Sequence, residues 1–468
     1  MRIEISNKIK IYDYNTSIWE WVRNNLVVDN PTYQTLMRIG KEDTIRRTHC
    51  PEHLNCYVQK GNNLEIPFGC LYGVWPLIKD CPINFKFNNN ECNSFVGVGI
   101  PSGIELYDYQ KEAVAAMIRA KGGVLVSPCG SGKTFMGVEI LRQLESKFLW
   151  LTHTKDLLNQ TLKEMKALYP FLDIGTITDG KINMGKDGTI STVQTLSKID
   201  LEIYKNEFDV VIVDECAHCA GSPTISKMFQ KVVENIPARY KYGLTATPAR
   251  ADSLIDTMYM ILGMSRNGEF EPTYKIDKEC VKTIVAHHEK VELLTDIPYD
   301  SDVYDVDGTI IYNELINFLS QDIERNNIII NNIAFRNREK RKQIALCHRV
   351  NQCNLLYSRL KELGINVEVI TGDTPSKKRK ELLKEDNSWD VLIATYSLLK
   401  EGVSIKALDT LHFVTPAKDK STVVQCVGRI ERYLENKKQP IVYDYVDVNI
   451  DYCNKAYTKR KRDIKKRF

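Results

Sequence analysis

No stretch of this 468-residue chain approaches eighteen consecutive apolar residues, so no membrane-spanning helix is expected. The start, Met1-Arg2-Ile3-Glu4, lacks the charged-then-apolar layout of a secretory signal, and a cytoplasmic protein without membrane partners is the expectation. Thirteen cysteines, an odd number at irregular spacings, do not make a secreted disulfide framework and suit reduced thiols. Cys50, His53 and Cys56, followed by Cys70, Cys81 and Cys92, lack the paired spacing of a zinc knuckle. Cys216 and Cys219 have that spacing, but ordinary packing is the simpler expectation for all of them. Strong net charge is lacking too, the formal value being +4. It hides an asymmetry, because Lys455 to Phe468 carries eight basic residues against one acidic residue. A solvated terminus is the ordinary meaning of such a run, and a polyanion partner is the functional one.

What is present is a soluble composition, 43% hydrophobic and 26% charged, on a chain long enough for two or three domains. From about Gly122, short β-branched runs alternate with helical patterns: Gly123 to Ser127, Phe148 to Thr152, Thr189 to Val193, Asp209 to Val213 and Tyr242 to Thr245. The rhythm resumes at Gln343 to Cys347 and continues through Asn366 to Ile370, Asp390 to Ala394, Thr410 to Val414 and Ile441 to Tyr445. Strands spaced by helices predict parallel sheets covered on both faces, here in two separate α/β domains. Arg2 to Ile11 alternates apolar and polar residues as a half-buried strand does, and opens a smaller α+β region.

Ser127-Pro128-Cys129-Gly130-Ser131-Gly132-Lys133-Thr134 follows a predicted strand and opens a predicted helix, the setting of a phosphate-binding loop. Gly130 and Gly132, either side of Ser131, let backbone N–H groups turn toward phosphate oxygens. Lys133 reaches the β- and γ-phosphates of ATP, and the Thr134 hydroxyl ligates Mg²⁺. The strict pattern fails only at its first position, where Ser127 stands for glycine. Phe208 to Val213 is a buried-strand run ending in Asp214-Glu215. Nothing in a core needs adjacent carboxylates; Asp214 suits holding Mg²⁺ through water, and Glu215 suits general-base work on the water that attacks the γ-phosphate. Farther on, Gln425-Cys426-Val427-Gly428-Arg429-Ile430-Glu431-Arg432 sets two arginines three apart, on one face of a predicted helix. If two domains close over ATP, these guanidinium groups meet the transferring phosphoryl; seen in isolation they are a solvated basic face.

With these elements in order, the chain resembles the superfamily 2 helicases, most closely the DEAH-like branch that includes phage UvsW and the XPB translocases. The resemblance covers about Leu106 to Asp444. Tyr107-Asp108-Tyr109-Gln110 resembles the adenine-side motif, which implies Gln110 as the base contact. Segments at Leu151 to Thr154, Thr192 to Leu196, Leu244 to Pro248, Ile370 to Gly372 and Ala394 to Ile405 resemble further motifs of the family. They imply that Thr152, Thr195, Thr371 and Thr395 touch the backbone of a bound strand, and that Glu401 and Gly402 sit near the nucleotide. In the family the acidic pair is usually followed by a residue pair ending in His; here Cys216-Ala217-His218 puts Ala at position four and His one place later. The usual link from that motif toward the second domain is then either made by His218 or missing.

These readings give two tandem RecA-like domains, at 101–265 and 321–454, with an N-terminal accessory domain at 1–100, a linker at 266–320 and a basic tail at 455–468. Trp19, Trp21, Tyr33, Tyr57 and Trp75 among Arg38, Lys41, Arg46 and Arg47 are compatible with a stacking and phosphate-binding surface, but core aromatics are the simpler expectation. Asn30-Pro31-Thr32-Tyr33 and Leu64 to Gly69 resemble segments of the accessory domain that precedes the motor in phage-type relatives, a resemblance that implies substrate recognition. The function expected is an ATP-dependent helicase or translocase acting on nucleic acid, DNA rather than RNA, with ATP and Mg²⁺ as cofactors and other protein subunits not readable. Alternatives are the motor subunit of a restriction-type complex and a non-catalytic clamp or transcript-release factor. Intact Lys133, Asp214, Glu215, Gln425, Arg429 and Arg432 speak against the clamp.

Overall fold

The computed structural model describes residues 1–87, 105–128, 130–204, 207–220, 227–246, 248, 254–298, 301–305, 307–396, 405–417 and 419–465. The chain divides into two units, Met1–Cys280 and Val281–Phe468.

The first unit opens with β1 (Arg2–Ile5) and β2 (Lys8–Tyr12), which pair antiparallel with Ile3 opposite Ile11 and Ile5 opposite Ile9. The alternation over Arg2 to Ile11 is therefore a hairpin and not one strand. Its turn at Ser6-Asn7 spans two residues, so the period of two runs through it unbroken and hides the reversal. α1 (Thr16–Asn25) and β3 (Val27–Asp29) follow, then two short helices, α2 (Pro31–Arg38) and α3 (Glu42–Thr48). β4 (His53–Asn55) pairs back on β3, and β5 (Val58–Lys60), β6 (Asn63–Pro67) and β7 (Ile83–Phe85) complete a sheet of order β5-β6-β2-β1-β7. α4 (Leu71–Ile78) and α1 bury Val74, Ile78, Ile18 and Val22 against it. Trp19, Trp21 and Tyr57 pack on the same core, with Trp19 and Tyr57 edge to face at 5.7 Å. Those three rings serve the core, whereas Trp75 is 38% exposed.

The same unit holds an eight-stranded sheet of order β11-β10-β12-β9-β13-β14-β8-β15. Its strands are β8 (Gly122–Val126), β9 (Phe148–Thr152), β10 (Ile174–Thr178), β11 (Lys181–Asn183), β12 (Gly188–Thr192), β13 (Val210–Asp214), β14 (Tyr240–Thr245) and β15 (Tyr274–Lys275). Only β11 runs antiparallel. α5 (Asp108–Ala120), α6 (Lys133–Leu144) and α7 (Lys155–Leu168) are among its covering helices. The small domain is fixed to this one: Met260 and Met264, in and after the helix Asp256–Leu262, join its apolar core. Gly69 approaches that helix so closely that a Cβ would lie 2.5 Å from the Tyr259 carbonyl oxygen. Tyr72 donates to the Ala120 carbonyl at 3.0 Å, and Lys8 pairs with Glu234 at 3.8 Å.

The second unit is an all-parallel sheet of order β16-β21-β20-β17-β19-β18. Its strands are β16 (His287–Leu293), β17 (Gln343–Cys347), β18 (Val367–Ile370), β19 (Val391–Thr395), β20 (Thr410–Phe413) and β21 (Ile441–Asp447). The stretch expected to be a linker, 266–320, thus supplies β15 to one sheet and β16 to the other. Its charges suited a linker, but an edge strand with one solvated side tolerates them. The helical pattern over Asn313 to Phe335 is two helices, Tyr312–Gln321 and Ile323–Arg338, broken where the Asp322 side chain accepts from the Arg325 N–H at 2.7 Å. The stretch expected to be a basic tail lies mostly in the helix Asp451–Lys465, which buries Cys453, Ala456, Arg460, Asp463 and Ile464. Arg460 makes two bonds to Asp444 of β21, at 2.6 and 2.8 Å, and a third to the Ala417 carbonyl at 3.0 Å.

Candidate nucleotide site and nucleic-acid contacts

The loop after β8 starts in register, because the Ser127 N–H donates to the Thr245 carbonyl at 2.9 Å. Ser131 donates its hydroxyl to the Pro128 carbonyl at 2.7 Å, and the Ser127 and Ser131 hydroxyls bond to each other. Gly130 and Gly132 take φ of 81° and 84°, values that side-chain-bearing residues rarely adopt. A Cβ on Gly132 would also lie 2.5 Å from the Gln110 side-chain nitrogen. Cys129 lies outside the described residues.

Gln110 is buried on α5; its side-chain N–H donates to the Ser131 carbonyl at 2.7 Å, and its oxygen accepts from the Tyr107 N–H at 3.0 Å. The Tyr109 hydroxyl donates to the same Ser131 carbonyl at 3.2 Å. The residue expected to read adenine is therefore bonded directly to the loop expected to hold phosphates.

Lys133 and Thr134 open α6, and the Lys133 ammonium lies 2.7 Å from a Glu215 carboxylate oxygen. β13, buried along its whole length, carries Asp214 to the same edge of the sheet. Glu215 sits just past the strand in the left-handed region, φ 49°, strained for a residue with a side chain, and its N–H donates to Asp214 at 2.9 Å. Burial, then the neighbouring Glu215 charge, pushes the Asp214 carboxyl upward. Burial would raise Glu215 too, but the Lys133 ammonium outweighs it and holds Glu215 below the usual carboxylate range. A buried carboxylate beside a second one, with a threonine hydroxyl at the head of the helix, is a hard-oxygen donor set that fits Mg²⁺ with its retained waters. His218 falls in the short turn Cys216–Cys219, its ring 4.4 Å from that of His153. The shifted histidine is engaged inside the first unit.

Thr152 and Thr195 come together: β9 and β12 pair Thr152 with Thr192, and the Thr192 and Thr195 hydroxyls bond at 3.0 Å. Gln194, which carried no role in the sequence reading, donates to the His153 carbonyl at 2.6 Å and ties the two turns together. The Thr152 hydroxyl is buried and donates to the Thr154 carbonyl at 3.1 Å.

In the second unit, Thr371 follows β18 and Thr395 ends β19, neighbouring strands whose carboxyl ends share an edge. The Thr371 N–H donates to the Thr374 hydroxyl at 2.9 Å. Gln425 and Arg429 are half-buried on the helix Lys420–Ile430, four residues apart on one face, while Val423, Cys426, Val427 and Ile430 bury the other. Arg432 does not share that helix. The helix ends at Ile430, and Arg432 enters an antiparallel bridge with Thr283 while the Ile284 N–H donates to the Glu431 carbonyl at 2.9 Å. Glu401 and Gly402 lie outside the described residues.

Residues 103–250 match the family described as type III restriction enzyme, res subunit, and residues 324–433 match the helicase conserved C-terminal domain. The chain is a superfamily 2 helicase. It is an ATP-dependent enzyme, an ATP hydrolase. The helicase is 26% identical to protein L396 of Acanthamoeba polyphaga mimivirus, whose name places it among ATP-dependent RNA helicases, over 95% of this chain and 83% of that one. It is 25% identical to the DNA 3'-5' translocase XPB2 of Sulfurisphaera tokodaii, over 71% of this chain and 80% of that one. Saccharomyces cerevisiae Dbp5 bound to RNA and ADP BeF3 shares the fold, with a TM-score of 0.56 at 14% identity over 80% of this chain and 93% of that one. No helix among the described residues is long and apolar enough to cross a membrane.

Proposed function

We propose that this helicase couples ATP hydrolysis to movement along DNA, branched or duplex. The observation that carries the reading is the Lys133–Glu215 contact at 2.7 Å, which puts a phosphate-seeking ammonium and a depressed carboxylate at one edge of a parallel sheet. Lys133 binds the β- and γ-phosphates and leaves Glu215 free to accept a proton from the attacking water. Thr134 and Asp214 would hold Mg²⁺, which neutralises phosphate charge when bound. Gln110, bonded to the Ser131 carbonyl, contacts the base and reports occupancy to the Gly130-Ser131-Gly132 turn. Gln425, Arg429 and Arg432 complete the phosphate contacts on hydrolysis, with Glu401 and Gly402 beside the nucleotide. Thr152, Thr195, Thr371 and Thr395 follow the backbone of the strand, so no target sequence is implied.

The choice of DNA draws on the XPB2 likeness, whereas the mimivirus relative's name says RNA. ATP turnover with single-stranded, duplex and forked DNA and the matching RNAs tests it. Stimulation by forked or duplex DNA is the expected result; stimulation by RNA alone would overturn the DNA part, and no turnover with any of them would favour a clamp. A second reading, the motor of a restriction-type complex, draws on the res-subunit match over residues 103–250. Co-purification with a nuclease or methyltransferase chain from the native source would support it.

A further inference from the structure

α2 and α3 bury no residue, whereas α1 and α4 of the same domain bury two each. Short helices ordinarily owe their stability to an apolar face packed on a core. These two are instead held at the base. The Asn30 side chain caps α2, accepting from the Thr32 N–H at 3.0 Å, and donates to the Pro51 carbonyl at 2.7 Å, while its N–H donates to the Glu52 carbonyl at 2.9 Å. The β3–β4 ribbon beneath pairs Val27 with Asn55 and Asp29 with His53, and the His53 ring bonds Asp29 at 3.1 Å. Cys50, at the end of the pair, donates its N–H to the Ile45 carbonyl at 3.1 Å. Cys56 is packed against the core, its thiol pushed up to about 11 by burial.

At the far end the chain reverses through Gly40, φ 68°, where an added Cβ would meet nothing within 4 Å. The tip reads Met37-Arg38-Ile39-Gly40-Lys41, with Met37 45% and Ile39 55% exposed. Arg46 and Arg47 follow on α3, also exposed, so that Arg38 to Arg47 carries four cations against Glu42 and Asp43. At the tip, exposed apolar side chains are thus interleaved with cations. They suit nucleic acid, where apolar wedges enter between bases and flanking cations meet phosphates.

We infer that the 31–49 hairpin is a wedge for the junction between single-stranded and duplex nucleic acid. Met37 and Ile39 pack on the terminal base pair, and Arg38, Lys41 and Arg47 contact phosphates on either side. The inference rests on the reading of the chain as a nucleic-acid motor. Because the small domain shares core residues with the domain that carries Lys133, the wedge is rigidly mounted on the ATP-binding half.

The test uses the full chain without nucleotide and a forked DNA duplex with a fluorescent base analogue at its first pair. The wild-type protein should bind the fork more tightly than a blunt duplex and raise the fluorescence as that pair unstacks. Met37→Ser with Ile39→Ser should abolish the rise while changing affinity by less than about threefold, since most affinity comes from phosphate contacts. Arg38→Ala, Lys41→Ala and Arg47→Ala together should weaken fork binding about tenfold or more and flatten its salt dependence. An unchanged fluorescence rise in the first variant, unchanged fork affinity in the second, or equal wild-type affinity for fork and blunt duplex overturns the wedge. ATP turnover on the same samples separates the two ideas: loss of stimulation by any nucleic acid in the wild type sinks the motor reading, while the binding and fluorescence results still decide the wedge.

Discussion

Replacing Arg460 by alanine tests whether the basic C-terminal segment is part of the second domain's core. Its guanidinium is 1% exposed and meets both oxygens of Asp444, itself fully buried, on the central run of β21. Removing Arg460 leaves the buried Asp444 carboxylate with only the His288 ring, at 3.4 Å, beside it, a loss of about 3–5 kcal/mol for breaking a buried pair. For a domain of this size each kcal/mol lowers the melting temperature by roughly 2–4 °C, so Arg460→Ala should lower the transition of the second unit by roughly 6–20 °C. Burial alone would raise the Asp444 carboxyl, but Arg460 outweighs it and holds that group below the usual range. A depressed folded value means that the pair stabilises above the unfolded carboxylate pKa of about 3.9 and stops doing so as pH falls through the folded value. The gap between wild type and variant should therefore be full at neutral pH and close in acid. Thermal unfolding followed by circular dichroism across that range measures both. A shift under about 2 °C at neutral pH would show that the pair contributes little, since breaking a buried ion pair does not cost so little.

Lys133→Ala and Glu215→Gln should each abolish ATP hydrolysis, with the second still binding ATP; near-normal turnover in Glu215→Gln removes it as the base. Lys459→Ala, Lys461→Ala and Arg462→Ala, which leave Arg460 in place, should flatten the salt dependence of DNA binding without lowering the melting temperature, and an unchanged slope marks that face as a bystander. Gly69→Ala forces a Cβ to 2.5 Å from the Tyr259 carbonyl oxygen, so it should loosen the small domain by about 1–3 kcal/mol and speed proteolysis within residues 1–87; an unaltered digestion pattern would refute the close docking.

The parallel strands were legible because their signal is the strongest a sequence carries. Phe148 to Thr152, Val210 to Val213 and Gln343 to Cys347 are buried on both sides, so each reads as an apolar run bounded by helical patterns. β10 does not stand out in the sequence, because Gly175, Thr176 and Thr178 break up the apolar run around Ile174 and Ile177. Gly175 is required there by the backbone of Asn183 and Gly185, within 2.2 Å of where a Cβ would sit. β16 was missed for the opposite reason: His287-His288-Glu289-Lys290 looks solvated, and it is, on one side of an edge strand. The charge that hides the strand from a pattern search protects the edge from pairing with another chain.

The glycine-rich loop and the adjacent carboxylates, which the structure joins through Lys133 and Glu215, stand out for a different reason, since local spacing states them outright. What spacing does not state is where a helix stops. Arg429 and Arg432, three residues apart, lie on one helical face only if the helix continues, and it does not, because the Glu431 carboxylate accepts from the Ala286 N–H at 2.9 Å and its carbonyl from Ile284. Both partners come from almost 150 residues upstream, beyond any local pattern. The same holds for Arg460, whose place in a basic run predicts solvent and whose partner Asp444 makes it core. A charge in a run is exposed by default, and it is buried only where the fold brings an opposite charge to it. Such residues are found from the sequence alone when an acidic residue interrupts an otherwise apolar strand, as Asp444 and Asp447 interrupt Ile441 to Asp447, and each of these has its buried arginine, Arg460 and Arg325.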